Sequence, residues 1–197
     1  MTVPERTAPP EPRNAAITYP GGLRARWRWG GSGQSAAVFA LTEAGGTLVD
    51  HGTIASQTPD ILCRAELRLE GPRASWTARF ASTIHDEPRA MYWDTADLLV
   101  VAYGFHTMGL DVASGEARWA HRSATPLIAL FGSPRWDHVV VQSELETFAI
   151  ESDGEVAWRV AHSDVVTAAE LIGGRLVLTS FDGQANALDP STGRGAA

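Results

Sequence analysis

The sequence predicts an all-β protein built from repeats of about forty residues, and three observations carry this prediction. Residues 109–119, 149–158 and 187–194 share one pattern, an apolar residue followed by an acidic residue and a turn. Leu110, Ile150 and Leu188 stand 40 and 38 residues apart. The 19 glycines, 11 prolines and 7 tryptophans among 197 residues are typical of a chain with many tight turns. Because such a period is typical of propeller blades or a solenoid, we expect a small β-propeller of about four blades.

The N-terminal part is predicted as a tail followed by a single strand. Residues 1–20 are rich in proline and polar side chains, so we expect a flexible tail there and the propeller over 21–197. Residues 23–29 alternate apolar residues with Arg24, Arg26 and Arg28, which puts the three arginines on one face of a strand. We interpret that face as solvated, with a patch for phosphate or an acidic partner as the alternative.

Four groups of strands follow, separated by glycine and proline turns. The predicted strands are 36–41, 47–51, 61–69 and 74–80 in the first blade (36–80), 88–93, 98–103, 107–111 and 117–121 in the second (88–121), 127–131, 137–143, 146–150 and 155–161 in the third (127–161), and 165–172, 176–180 and 184–188 in the fourth (165–188). The fourth blade lacks an outer strand. We expect strand 23–29 to complete it and close the ring, which would remove two exposed edges. The alternative is an incomplete ring that closes by dimerisation.

The repeated turn resembles that of a known family. Asp111, Ser114, Gly115 and Trp119 match the quinoprotein-type (PQQ-like) β-propeller repeat, as do Asp189, Thr192 and Gly193, whereas the middle copy has Glu151 and keeps Trp158. The resemblance implies that the acidic residue and glycine shape the turn between the third and fourth strands, and that the tryptophan docks between adjacent blades. The resemblance is not specific for an activity. The quinone-dependent dehydrogenases of the family have more blades, are usually exported and contain an adjacent cysteine pair, so we do not expect that activity here. We expect no cofactor, although a central channel leaves room for an ion.

Composition restricts the classes of partner and location. The net charge of −7 disfavours nucleic-acid binding, which requires cationic groups. No stretch reaches the roughly 20 apolar residues of a membrane helix, and the first residues lack a secretion signal, so we expect a cytoplasmic protein that does not bind membranes. The single cysteine, Cys63, excludes an internal disulfide and is interpreted as a packed strand residue.

Three histidines occupy related positions along the chain. His85, His121 and His162 are each predicted where the chain crosses from the outer strand of one blade to the inner strand of the next. Because such crossover loops open on one face beside a propeller channel, the three imidazoles could converge and hold a metal ion with an open coordination position. The alternative is that each histidine hydrogen-bonds to loop backbone.

The crossover-loop face is therefore the predicted functional surface. We expect a ligand or partner to contact a rim that comprises His85, Asp86, His106, Arg122 and Asp182. Exposed aromatic residues near the loops, such as Phe105, favour a binding or interaction module that takes a protein or a small molecule, as a monomer or dimer. The alternative is a small-molecule enzyme, for example of specialised metabolism, with His121, His162 and Asp164 as catalytic residues. The chain lacks lysine, a nucleophile elbow and a phosphate-binding loop, so whether it is an enzyme stays open.

Overall fold

The protein consists of β-sheets in two compact units, Met1–Glu87 and Pro88–Ala197. A computed structural model describes residues 13–30, 47–51, 63–82, 84 and 86–195, with only the backbone described at 47–51, 63, 64 and 81. The helical turns of these ranges are two short 3-10 turns, Pro20–Gly22 and Asp94–Ala96, and every other regular element is a strand. The all-β prediction is confirmed.

Nowhere in the described ranges is there a helix long and apolar enough to cross a membrane.

The first unit contains one five-stranded sheet. Its strands are β1 (Arg13–Tyr19), β2 (Leu23–Trp29), β3 (Thr47–His51), β4 (Cys63–Gly71) and β5 (Ala74–Ser82). Their order in the sheet is β1-β2-β4-β5-β3, and only the β3–β5 pair is parallel. Strand β2 alternates as predicted, with Leu23, Ala25, Trp27 and Trp29 buried on one face and the arginines on the other.

Two expectations about the N-terminal part are wrong. Residues 13–19, predicted as part of the tail, form strand β1, which pairs with β2 along its whole length through the turn at Pro20–Gly22. The other edge of β2 pairs with β4. Because both edges of β2 are occupied, Leu23–Trp29 cannot pair with the last strand of the chain, and the predicted closure of a ring through this strand is excluded. Residues 1–12 lie outside the described residues.

The first predicted blade also differs from a simple up-and-down sheet. Strand β3, predicted as the second strand of this blade, lies at the edge of the sheet and is parallel to β5. A parallel pair cannot be joined by a tight turn, whereas the antiparallel strands β4 and β5 are joined by one. The predicted strand 36–41 lies outside the described residues.

The second unit contains three antiparallel sheets that follow the predicted repeats. The first sheet has strands β6 (Arg89–Trp93), β7 (Leu98–Tyr103), β8 (His106–Asp111) and β9 (Ala117–Arg122), the second has β10 (Leu127–Phe131), β11 (His138–Ser143), β12 (Glu146–Glu151) and β13 (Val156–Ala161), and the third has β14 (Val166–Ile172), β15 (Arg175–Ser180) and β16 (Ala185–Leu188). Each strand agrees with its predicted range to within one residue at either end. A total of four blades stays a prediction.

The three sheets of this unit pack face to face in chain order. One buried cluster joins the first and second sheets through side chains such as Val100, Val141 and Phe148. Another joins the second and third sheets through Val140, Ala149 and residues of β14 to β16. The first strands of the three sheets also contact one another, β10 with β6 and with β14. This serial stacking, with the first strands adjacent, is the arrangement of blades in a propeller.

Candidate functional site

One end of the second unit gathers the crossover loops and three hairpin turns. We call this end the crossover-loop face: it comprises the β7–β8, β11–β12 and β15–β16 turns and the connections 123–126 and 162–165. Backbone hydrogen bonds tie each connection to a turn, from the Ser123 amide to the Phe105 carbonyl and from the His162 amide to the Leu145 carbonyl, both at 2.8 Å. The Phe181 amide donates likewise to the Val165 carbonyl at 2.8 Å. The face is therefore a scaffold of paired loops.

These bonds also reveal which positions correspond between repeats. Ser123 and His162 make the same backbone bond, and each follows the fourth strand of its sheet. His121 instead pairs with Thr107 inside the first sheet, where Val160 is its counterpart, opposite Thr147. The interpretation of His121 and His162 as equivalent crossover residues is wrong, because they are offset by two positions.

His162 belongs to a buried hydrogen-bonded chain on one side of β12. The Thr147 hydroxyl donates to the side-chain oxygen of Gln142, whose amide donates to the Ser143 and Glu146 carbonyls at 2.6 and 3.2 Å. Since the Thr147 hydrogen is used in this way, His162 Nε2, 2.7 Å from the Thr147 oxygen, is the donor of that bond. Burial lowers the pKa of His162, which favours the neutral ring, and the bond to Thr147 places the proton on Nε2.

His121 lies against the other side of β12. Its ring centroid is 4.7 Å from that of Phe148, and Nε2 is 3.0 Å from Nη2 of Arg159. A guanidinium only donates, so Nε2 of His121 accepts and carries no proton. Burial, together with the charge of Arg159, lowers the pKa of His121, although Glu146 acts in the opposite direction. The Cζ atom of Arg159 also lies 5.5 Å from the Phe148 ring centroid, and its Nε atom lies 3.6 Å from Oε2 of Glu146.

The two histidines do not share a site. Thr147 and Phe148 are neighbours in β12, and neighbouring strand residues point to opposite faces of a sheet. His162 contacts the former and His121 the latter, so the second sheet separates the two imidazoles. The expected convergence of these two rings is therefore wrong. His85 lies outside the described residues, and the residues that are described contain no group of three or more histidine, cysteine or acidic side chains placed to hold a metal ion.

The remaining predicted residues have identifiable local roles. Asp164 accepts backbone hydrogen bonds from Val165 at 2.8 Å and from Asp182 at 3.3 Å, which joins a crossover loop to the β15–β16 turn. Asp182 accepts from the Gln184 amide at 3.0 Å. These carboxylates therefore shape the face. Whether Asp164 or either histidine is catalytic stays a prediction.

The other described residues of the predicted rim are His106 and Arg122 in the second unit and Asp86 in the first. His106 and Arg122 are partners across β8 and β9, and burial, with the charge of Arg122 second, lowers the pKa of His106. Asp86 accepts a hydrogen bond from the Glu87 amide at 2.8 Å and belongs to the first unit.

The most exposed part of the face was missed by the sequence analysis. Phe181, in the β15–β16 turn, is 79% exposed, and Leu145, in the β11–β12 turn, is 39% exposed. Phe105, which was singled out as a loop aromatic, is half-buried in the β7–β8 turn. Each of the three successive hairpin turns thus carries an apolar side chain. The available signal was an apolar residue beside acidic and glycine residues in a turn, as in Phe181-Asp182-Gly183.

The repeated turn and its tryptophan behave as the resemblance implied. Asp111 Oδ1 accepts from the Ala113 and Ser114 amides at 3.0 and 2.9 Å, and Gly115 takes a φ of 78° that favours glycine. Trp119 reaches the next sheet, where its indole nitrogen donates to the Ser152 carbonyl at 3.1 Å. The second unit is therefore a set of stacked sheets of the β-propeller type.

Comparisons with solved structures support the β-propeller type of fold and no closer relationship. No protein-family model matches the chain, and no curated protein matches its sequence. The solved structure of dihydro-heme d1 dehydrogenase NirN in complex with DHE, which has a β-propeller fold, is similar with a TM-score of 0.52 and 14% identity, over 79% of this chain and 36% of that one. HIRA (TM-score 0.47, 12% identity, 96% of this chain and 53% of that chain) and BamB from Moraxella catarrhalis (0.47, 16%, 76% and 50%) are also similar. The chain spans about half of the length of the HIRA and BamB structures and 36% of the NirN structure. The likeness concerns the fold alone, and membership of the quinoprotein-type family stays a resemblance.

Proposed function

We propose that the protein is a binding module that holds a protein partner on the crossover-loop face of its second unit. The observation that carries this proposal is the apolar residue at each of three successive hairpin turns, Phe105, Leu145 and Phe181. Phe181 is 79% exposed, and contact of so much apolar surface with water is unfavourable. A partner that covers this side chain therefore binds with a favourable free energy. Aromatic side chains are also common anchors of protein interfaces.

The polar surroundings suit a protein partner better than a reaction. Asp164 and Asp182 accept backbone hydrogen bonds, so their carboxylates hold loops in place. Arg122 and Glu144 add charges of both signs near the apolar turns. A polar rim around apolar anchors is the usual anatomy of a protein interface, and loops fixed on a sheet scaffold lose little conformational entropy on binding.

The test compares two equally simple substitutions at opposite ends of the third sheet. Phe181→Ser removes the proposed anchor, whereas Ile172→Ser changes a residue that is 55% exposed at the β14–β15 turn, the other end of the sheet. Immobilised wild type and both variants are incubated with a lysate of the source cells, and retained proteins are quantified by mass spectrometry. We expect one partner to be retained by wild type and Ile172→Ser, and reduced at least tenfold with Phe181→Ser, since an interface anchor contributes about 2 kcal/mol or more.

The contrary result is equally clear. If the same proteins are retained in the same amounts by wild type and by Phe181→Ser, and also by a double variant that adds Leu145→Ser, the crossover-loop face is not the binding surface. Circular dichroism of each variant serves as the folding control. Both substituted residues of the double variant are exposed, so we expect unchanged spectra.

A further inference from the structure

The tryptophans of two neighbouring repeats are docked differently. In the first sheet of the second unit, Trp119 lies against Gly109, its partner on β8, and a Cβ atom at that glycine would collide with the indole ring. The Trp119 indole nitrogen donates to the Ser152 carbonyl at 3.1 Å. The ring is therefore packed flat on its own sheet, and its only polar atom has an acceptor.

The corresponding position in the second sheet cannot adopt this arrangement. Trp158 has Ala149 as its partner, so a methyl group occupies the space that the Trp119 ring takes above glycine. The carbonyl of Pro190, which corresponds to that of Ser152, is 2.8 Å from His138 Nε2. The Trp158 indole nitrogen is buried and has no hydrogen-bond partner in the described structure. An unsatisfied buried donor lowers the stability of the folded protein by about 1–3 kcal/mol, so this arrangement is unfavourable for folding.

A cavity of about 410 Å³ opens beside this second tryptophan, at the end of the sheets opposite to the crossover-loop face. His138, which is 9% exposed, lines this cavity between two tryptophans. The Trp136 ring is stacked on it with centroids 5.9 Å apart and planes at 9°, and Trp158 meets it edge-on at 6.1 Å and 83°. The lining residues are Arg135, Trp136, Asp137, His138, Glu151, Ala157, Trp158, Ser191 and Thr192. Its volume is that of a site for a small molecule.

The charges around the cavity favour a cation. Asp137 and Glu151 are exposed at its rim, and within the described ranges neither carboxylate makes an ion pair or a hydrogen bond. The lining also includes the cationic side chain of Arg135. One positive and two negative groups give the lining a net charge of −1. The indole ring presents a negative face and is the aromatic group that attracts cations most strongly.

We propose that this cavity binds a small organic cation, an ammonium or guanidinium group on a short carbon skeleton, with its charge against Asp137 and Glu151 and its carbon atoms against Trp136 and Trp158. The departures from the preceding repeat, alanine in place of glycine and His138 in place of Leu98, create this site. The proposal is independent of the crossover-loop face, since the two surfaces lie at opposite ends of the sheets.

The experiment titrates the full-length protein with choline, with agmatine, and with 3,3-dimethylbutan-1-ol, the neutral counterpart of choline. The readout is the set of indole N–H signals in ¹⁵N-labelled protein, with Trp136 and Trp158 assigned from Trp→Phe variants. We expect at least one of the two cations to shift both signals to saturation, and the neutral alcohol to leave them unchanged at equal concentration. The double variant Asp137→Asn/Glu151→Gln should bind that cation about tenfold more weakly.

Matched controls make the outcome decisive. Glu155→Gln removes an exposed carboxylate of the neighbouring turn that does not line the cavity, so it should bind the cation as wild type does. The proposal is overturned if neither cation gives a saturable shift, if the neutral alcohol shifts the signals as the cation does, or if the double variant binds as tightly as wild type. All three substituted carboxylates are exposed, so the variants should fold normally.

Discussion

At the scale of single residues, Asp111 is the best-connected carboxylate of the second unit. Besides the two turn amides, it accepts a hydrogen bond from the Ser114 hydroxyl at 3.1 Å and two from the Arg118 guanidinium at 3.1 and 2.5 Å. The hydrogen bonds from Arg118, more than the other contacts, hold the pKa of Asp111 below its ordinary value. One side chain thus fixes the turn and joins it to β9.

Replacement of Asp111 by alanine should destabilise the protein by about 1–2 kcal/mol, because the turn loses its acceptor and Arg118 loses its partner. The matched control is Asp153→Ala in the next repeat, where the carboxylate accepts one hydrogen bond, from the Glu155 amide at 3.0 Å. Urea unfolding of both variants measures the difference. An Asp153→Ala loss equal to or larger than the Asp111→Ala loss would contradict this account of the turn.

The histidines make stability depend on pH. The pKa values of His106, His121 and His162 are all lowered, chiefly by burial. Between these lowered values and the unfolded value near 6.5, the unfolded chain binds more protons than the folded one, so the free energy of unfolding falls as the pH falls below about 6.5. Urea midpoints from pH 8 to pH 5 should therefore decrease.

His121→Gln provides the specific test of this pH dependence. The glutamine oxygen can accept from Arg159 as His121 Nε2 does, but the side chain does not titrate. We expect a shallower decrease of the urea midpoint below pH 6.5 than in wild type. A midpoint that rises on acidification, or a slope that the substitution makes steeper, would show that the imidazoles are not held neutral by the fold.

At the scale of elements, the tryptophan of each fourth strand packs according to the size of its partner residue on the third strand. Gly109→Ala introduces a methyl group where the Trp119 ring lies, which should displace the ring and its hydrogen bond to Ser152. The expected loss is about 2–4 kcal/mol, the sum of overpacking and a lost hydrogen bond. The Trp119 indole N–H signal, together with urea unfolding, reports both effects.

The reverse change in the next repeat is the control. Ala149→Gly removes a buried methyl group and adds backbone freedom, for an expected loss of about 1 kcal/mol. It should also let Trp158 move toward the position that Trp119 has, with a shift of its indole signal. If Gly109→Ala is as stable as wild type, the close packing of Trp119 on β8 does not stabilise this repeat.

The strands of the second unit could be predicted because the turn residues that mark their ends lie close together in the sequence. Several turns between strands β6 and β16 have glycine next to an acidic residue, such as Asp153-Gly154. The outer strands β9 and β13 alternate in burial, whereas β7 and β11 are buried throughout. The face of β12 that each histidine contacts depends instead on strand register between repeats. An offset of two positions between His121 and His162 was sufficient to place the two imidazoles on opposite sides of β12.

At the scale of the whole molecule, long-range pairing limited the prediction. The alternation of β2 correctly gave its two faces, but not the identity of its neighbours, β1 and β4. Strand β3 likewise lies parallel to β5, a pairing that no local residue pattern specifies. The cavity beside Trp158 was also missed, because it results from small differences between repeats rather than from their shared pattern.

The most direct test of the central claim is site-specific photo-crosslinking from the crossover-loop face. Benzoylphenylalanine replaces Phe181 in one variant and Ile172 in the other, and both are irradiated in the source cells. The account predicts one discrete crosslinked protein from position 181 and none of that mass from position 172. Identical crosslinking patterns from the two positions, or none from position 181, would contradict a partner-binding role for this face.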